Sequence, residues 1–256
     1  IVGDRRFWLP PKSGGTGSTS RTPGAHMGRS VVLAGADRCP GCALPPRWCT
    51  CDTIPAVETR LKVHVLIHRG EHGKPSSTRR LVGRAVTGAE CHLYQRQTRF
   101  HAASGFPTDA VEPGEQLWIL HPGGDPLPTS PAPSDGHARS RQPVLLLDGT
   151  WRQAGEMLRA VEGRGKCFRL PDAGAEPSRY WLRDQPAPMQ LSTAEALASV
   201  LRAVGEHEAE RRLRLHFELH VYATLLARGK REMAERYLGH SPLLAAAPEA
   251  LARLHA

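Results

Sequence analysis

The stretch VLLLDGTW, residues 144–151, constrains the fold of this 256-residue chain more than any other segment. Val144 to Leu147 offer no polar face to solvent, the pattern of a strand buried on both sides in a parallel sheet. An acid, a glycine, a hydroxyl and a large aromatic follow at once, as Asp148, Gly149, Thr150 and Trp151. Ala154, Met157, Leu158 and Val161 then recur at i, i+3, i+4 and i+7, so a helix continues directly from the strand end. The same alternation runs along the chain. LKVHVLIH (61–68) reads as a strand, and SSTRRLVGRAV (76–86) as a short helix with Leu81, Val82 and Ala85 on one face. QLWIL (116–120) and KCFRL (166–170) read as further strands. Leu197, Val200, Leu201 and Val204 repeat the helical spacing, and 207–229 continue as a long helix. Strands alternating with helices predict an α/β fold on a mainly parallel sheet.

The rest of the chain divides by composition. Residues 1–36 are rich in Gly, Ser, Thr and Pro and are expected to be disordered. Residues 37–58 form a small cysteine module, 59–230 the main domain, and 231–256 a helical tail. A long Pro/Gly/Ser loop is expected over 121–143. The 34 Lys and Arg against 25 Asp and Glu give a net charge of +9, which points to a polyanionic partner. Nucleic acid is the first expectation and an anionic membrane surface the second. No apolar run is long enough to span a bilayer. The first residues lack the apolar core of a signal peptide, so the cytoplasm is the expected compartment.

Cys39, Cys42, Cys49 and Cys51 follow a C-x2-C-x6-C-x-C spacing. Tetrahedral Zn²⁺ needs four soft donors, and two close pairs on short loops supply them. Two disulfides would use the same residues, and a redox C-x2-C would leave Cys49 and Cys51 unexplained. Four sulfur ligands leave no open position, so the zinc is expected to be structural.

Three other segments carry polar groups that chemistry needs. Asp148 stands where a strand ends and a helix starts, the place where parallel sheets bind ligands. Gly149 would permit a tight turn or a ligand's close approach. Thr150 also suits a helix cap, and Trp151 either a ligand face or the core. Ser192 and Glu195 in LSTAEA fit an S-x-x-E capping box, and the same helix start presents N–H groups to a carboxylate. In HRGEHGKPSSTRRL (68–81), His68, Glu71, Lys74, Arg79 and Arg80 crowd one turn, either as a solvated loop or as contacts to phosphate or a polar substrate.

In this order, the cysteine cluster, HRGEHGKPSST, LWILHPGGD, LLLDGTWRQAGEML, YWLRDQP and LSTAEALA resemble the DTW-domain family, the tRNA-uridine aminocarboxypropyltransferases. The resemblance covers about residues 37–205, with Asp148-Gly149-Thr150-Trp151 as the D-x-T-W pattern. Ser77 stands where the family pattern H-x-x-E-x-x-K-x-x-N-T has Asn, while Thr78 matches.

The resemblance implies a SPOUT-like, Rossmann-type sheet whose C-terminal part is tucked into a trefoil knot. It implies S-adenosylmethionine as co-substrate and tRNA as partner. The 3-amino-3-carboxypropyl group would pass to uridine N3, releasing 5′-methylthioadenosine. Asp148 is then the expected catalytic residue, as general base toward N3–H or as a charge facing the sulfonium. Leu120, Pro122, Gly124, Asp148, Thr150, Trp151, Ser192, Thr193 and Glu195 are the expected cofactor contacts. His68, Lys74, Arg79 and Arg80 are the expected RNA contacts. The rival readings are a SPOUT-like RNA methyltransferase and a zinc-ribbon RNA-binding protein without catalysis.

Overall fold

The computed structural model describes residues 37–74, 77–99, 104–129, 141–171, 177–182 and 191–255. The expected disorder of 1–36 and the proline-rich stretch 130–140 fall outside them. So do 172–176 and 183–190, which follow the last strand.

The elements run in the order β1 (Leu61–His68), α1 (Arg69–His72), α2 (Arg79–Ala85), β2 (Glu90–Tyr94), β3 (Trp118–Pro126), β4 (Gln142–Asp148), α3 (Trp151–Ala160), β5 (Lys166–Arg169) and α4 (Thr193–Ala203). Then come α5 (His207–Ala227), α6 (Arg231–Leu238), α7 (Leu243–Ala246) and α8 (Pro248–His255). The five strands form one sheet in the order β2-β1-β4-β3-β5, and every pairing is parallel.

The VLLL run behaves as its composition requires. Val144 and Leu146 pack into a core with Val63, Val65 and Ile67 of β1, Leu81 of α2, Leu197 and Leu201 of α4, and Phe217 of α5. Leu145, on the opposite pleat, joins Leu66, Ile119, Met157 and Val161 in a second core under α3. The result is three layers, helices on both faces of a parallel sheet, as βαβ crossovers produce. Thirteen of the 21 residues of α5 are buried, which makes it the axis of the thicker layer. Tyr237, Leu243 and Leu254 of α6–α8 belong to the same core as α5.

Two strands depart from the sequence reading. ECHLY forms β2, an edge strand whose first residues are exposed, and so it lacks the apolar signature of a buried strand. Strand β3 continues through HPGGDP, where a loop was expected. Leu120 and Asp125 both pair with Phe168 of β5, so the four residues between them bulge out of register. Gly124 closes that bulge: a Cβ there would lie 2.5 Å from the backbone of Cys167 and Phe168.

The cysteine module is anchored to this body mainly through its own main chain. Arg84 donates to the Thr50 carbonyl at 2.9 Å, His216 Nε2 to Pro55 O at 2.9 Å, Arg212 to Ala56 O at 3.1 Å, and Arg253 to Asp52 O at 3.2 Å. These donors sit on α2, α5 and α8. Cys42 and Leu44 complete the attachment by joining the main core.

Candidate functional site

Asp148 ends β4, opposite Ile67 of β1, at the carboxyl edge of the sheet. Both of its oxygens are held. Ser77 Oγ donates to Oδ2 at 2.8 Å and Thr193 Oγ1 donates to Oδ1 at 2.8 Å. Ser77 is buried just before α2, and Thr193 opens α4, so three segments distant in sequence meet at one carboxylate. Thr78 Oγ1 adds a further tie by accepting the Ala194 N–H at 3.3 Å. Beneath lies Arg79, buried, with a guanidinium N–H donated to His72 O at 2.5 Å. Burial and the neighbouring Arg80 cation hold that guanidinium below its ordinary value, while the Asp148 carboxylate pulls it the other way. Cys91 is close by: although the residue as a whole is exposed, the protein packed around its sulfur raises the thiol, and Asp148 adds to the rise.

The turn after Asp148 is built by α3 itself. Thr150 Oγ1 accepts the Gln153 N–H at 3.4 Å and Gln153 Oε1 accepts the Thr150 N–H at 2.7 Å, a reciprocal cap. A Cβ on Gly149 would meet Gln153 Cβ at 2.9 Å, so packing within the first turn accounts for the glycine. Trp151 is not core: it is 54% exposed, at the first position of α3, three residues after Asp148.

The start of α4 is likewise occupied by the protein. Ser192 and Glu195 form the reciprocal capping box. The Glu195 carboxylate also accepts Ser178 Oγ at 2.8 Å and the Arg179 N–H at 2.8 Å. It therefore ties the 177–182 segment to α4. With the Ala194 N–H on Thr78 and the Glu195 N–H on Ser192, two of the first amides of α4 already have acceptors. Arg179 continues the tether with a two-pronged bond to buried Glu218 on α5, at 2.9 and 2.6 Å.

The four basic-loop residues are not one surface. His68 caps the short α1 by accepting the Gly70 N–H at 3.1 Å. Lys74 is exposed and pairs with buried Glu71. Arg79 points inward as described, whereas Arg80 is partly exposed and reaches Pro40 O at 3.4 Å. Leu120 is half-buried, Pro122 is exposed, and Gly124 packs on β5. Sequence reasoning missed the Ser77–Asp148 bond and the Arg179–Glu218 tether, since neither pairing leaves a local pattern.

The sulfurs of Cys39, Cys42, Cys49 and Cys51 all lie within 4.8 Å of one another. Cys39 and Cys51 are 3.5 Å apart and Cys42 and Cys49 3.8 Å apart, with no sulfur bonded to another. Zinc–sulfur bonds of about 2.3 Å in a tetrahedron give edges of about 3.8 Å, so the four fit one ion. The Cys42 main chain lowers Cys39 to about 6, while burial and the neighbouring sulfurs raise Cys49 and Cys51. Four thiolates would need a cation among them.

A parallel five-stranded sheet with a tethered carboxylate at its carboxyl edge, and a module of four clustered cysteines, define the class: a mixed α/β protein. The chain belongs to the DTW domain family, which its residues 36–225 match. It is similar to tRNA-uridine aminocarboxypropyltransferase 2 of Drosophila melanogaster, at 24% identity over 186 residues, 72% of each chain. No solved structure matches it.

Proposed function

We propose that this chain is a tRNA-modifying transferase that moves the 3-amino-3-carboxypropyl group of S-adenosylmethionine to N3 of a tRNA uridine, releasing 5′-methylthioadenosine. The observation that carries the reading is the Asp148 carboxylate, fixed at the strand ends by hydroxyls from two other segments. Membership of the DTW family and the similarity to a named aminocarboxypropyltransferase support it.

The residues present fit the co-substrate in their chemistry. An anchored anion, with an exposed indole three residues further along the chain, suits a ligand that carries a cationic sulfonium and a flat heteroaromatic ring. When bound, S-adenosylmethionine supplies an alkyl chain activated by the sulfonium. Asp148 and Trp151 would hold it together with main-chain groups of the 121–124 bulge in β3. The amides of α4 engaged by Thr78 and Ser192 leave the first turn of that helix a scaffold more than a carboxylate cradle.

Ser77 and Thr193 each donate to one oxygen of Asp148 and so orient it. With both oxygens already engaged, an electrostatic role suits Asp148 better than proton removal. Asp148 would oppose positive charge at the reacting centre and orient the uridine N3–H by accepting it; as the N3–C bond forms and the S–C bond breaks, the N3 proton would pass to solvent. Trp151 would stack on the splayed target base, since N3 lies on the Watson–Crick edge and must be unpaired. Lys74 and Arg80, with the net charge of +9, would hold phosphates. The four cysteines would hold Zn²⁺ as a structural clip.

The test is nucleoside mass spectrometry of tRNA incubated with the protein and S-adenosylmethionine. The expected product is a uridine bearing the aminocarboxypropyl group, with methylthioadenosine released. A methylated nucleoside with S-adenosylhomocysteine would make the chain a methyltransferase instead. RNA binding with no new nucleoside would make it a binding protein.

A further inference from the structure

His64 sits in the middle of β1, wholly buried between Val63 and Val65, and Lys62 on the same face turns its ammonium to Ala110 O at 2.8 Å. The parallel register sets Glu90 of β2 opposite His64 and His92 opposite Leu66. His64, Glu90 and His92 thereby share one face of the sheet, two residues apart on β2 and directly across the strand pair. His64 Nδ1 and His92 Nε2 are 3.1 Å apart, and Glu90 Oε2 lies 3.6 Å from each. Phe106 packs edge-on against both imidazoles at 5.2 Å and fixes their planes.

We propose that His64 Nδ1, His92 Nε2 and Glu90 Oε2 are the ligands of a second metal site, separate from the cysteine cluster, for a borderline divalent cation such as Zn²⁺ or Co²⁺. Bonds of about 2.0–2.2 Å to nitrogen and oxygen, arranged tetrahedrally, put ligand atoms about 3.3–3.5 Å apart. The three separations of 3.1, 3.6 and 3.6 Å lie within about 0.2 Å of that range. Two imidazoles and one carboxylate select borderline transition ions over Mg²⁺ and Ca²⁺, which prefer all-oxygen sets. Three protein ligands leave a fourth position open. The Glu90 side chain is 51% exposed, so the route of entry lies on the side of Glu90.

The ion gives β2 what its composition withholds. The strand lies at the sheet edge, its first two residues are exposed, and it pairs with β1 alone. A metal bridging His64 to Glu90 and His92 would fasten this edge to the strand that ends beside the Asp148 site. It would also hold Phe106, whose carbonyl accepts from Arg164. A simple pair of hydrogen-bonded neutral imidazoles would account for the 3.1 Å contact, but it binds no ion.

The experiment is a cobalt titration of full-length protein whose cysteine cluster has first been filled with zinc, followed by visible absorption. The expected result is one further equivalent of cobalt with ligand-field bands but no thiolate-to-cobalt charge-transfer band. His92→Gln and the solvent-exposed Glu90→Gln should each weaken that step by at least ~10- to 100-fold, the range that even outer-shell losses cost a metal site. Retention of the cysteine-cluster zinc in both variants verifies that they are folded. Absence of any cobalt spectrum up to millimolar cobalt, or an unchanged titration in both variants, overturns the assignment.

Discussion

At Asp148 the side chain is held from two sides, and its substitution separates charge from shape. Asparagine keeps an oxygen for one hydroxyl and offers an amide to the other, so the Ser77 and Thr193 contacts can persist without the negative charge. Asp148→Asn is expected to keep the thermal midpoint near that of the wild type and to lower single-turnover transfer to tRNA by on the order of 10²- to 10³-fold, the cost of losing one electrostatic stabiliser. Transfer at the wild-type rate would reduce Asp148 to an anchor for α2 and α4. Its place was legible in the sequence because an acid directly after a buried apolar run marks a strand end. Its partners were not, because they stand 71 and 45 positions away and nothing local announces the pairing. Ser77, which departs from the asparagine of the family pattern, supplies a hydroxyl where an amide would also donate. Trp151 was open to two readings, and its exposure places it at the surface.

Among the elements, those with a buried apolar stripe were read from sequence almost to their ends. Strands β1 and β4 and helices α3 and α4 carry the pattern because each faces a core. Strand β2 and the far half of β3 were not read, because an edge position and a bulge relax the demand for apolar residues and admit Gly and Pro. The cysteine module lies at the other extreme, since its spacing speaks for metal without any periodicity. Removing one ligand is expected to loosen the module and spare the sheet. Cys49→Ser should carry one zinc fewer than the wild type by metal analysis and should weaken tRNA binding more than binding of S-adenosylmethionine. The lost stability should be on the order of several kcal/mol, part of the ~10–16 kcal/mol that structural zinc supplies to small modules. A metal-free protein with an unchanged melting curve would contradict the structural role.

Over the whole molecule, charge and burial set the response to salt and pH. The net charge of +9 predicts tRNA affinity that falls steeply as salt rises, through release of condensed counterions. An affinity flat across salt would show that the charge serves something else. Among the described residues, no helix is long and apolar enough to cross a membrane. His220 of α5 is buried, and its pKa is lowered by that burial to about 3, against an ordinary 6.5. Between those values the unfolded chain binds the proton and the folded chain does not. Stability is therefore complete above pH ~6.5 and declines on acidification, by up to about 1.4 kcal/mol per pH unit from this one side chain. Urea unfolding at pH 7, 6 and 5 checks it, with His220→Leu expected to show a shallower decline than the wild type. The docking of the cysteine module bears on how the protein tolerates mutation. Arg84, Arg212, His216 and Arg253 grip main-chain carbonyls, and every residue type carries a carbonyl. The gripped positions Asp52 and Ala56 should accept wide substitution in a saturation screen, while the four donors should accept little. Sequence drift is thus expected to fall unequally across one interface, on the side that is held and not on the side that holds.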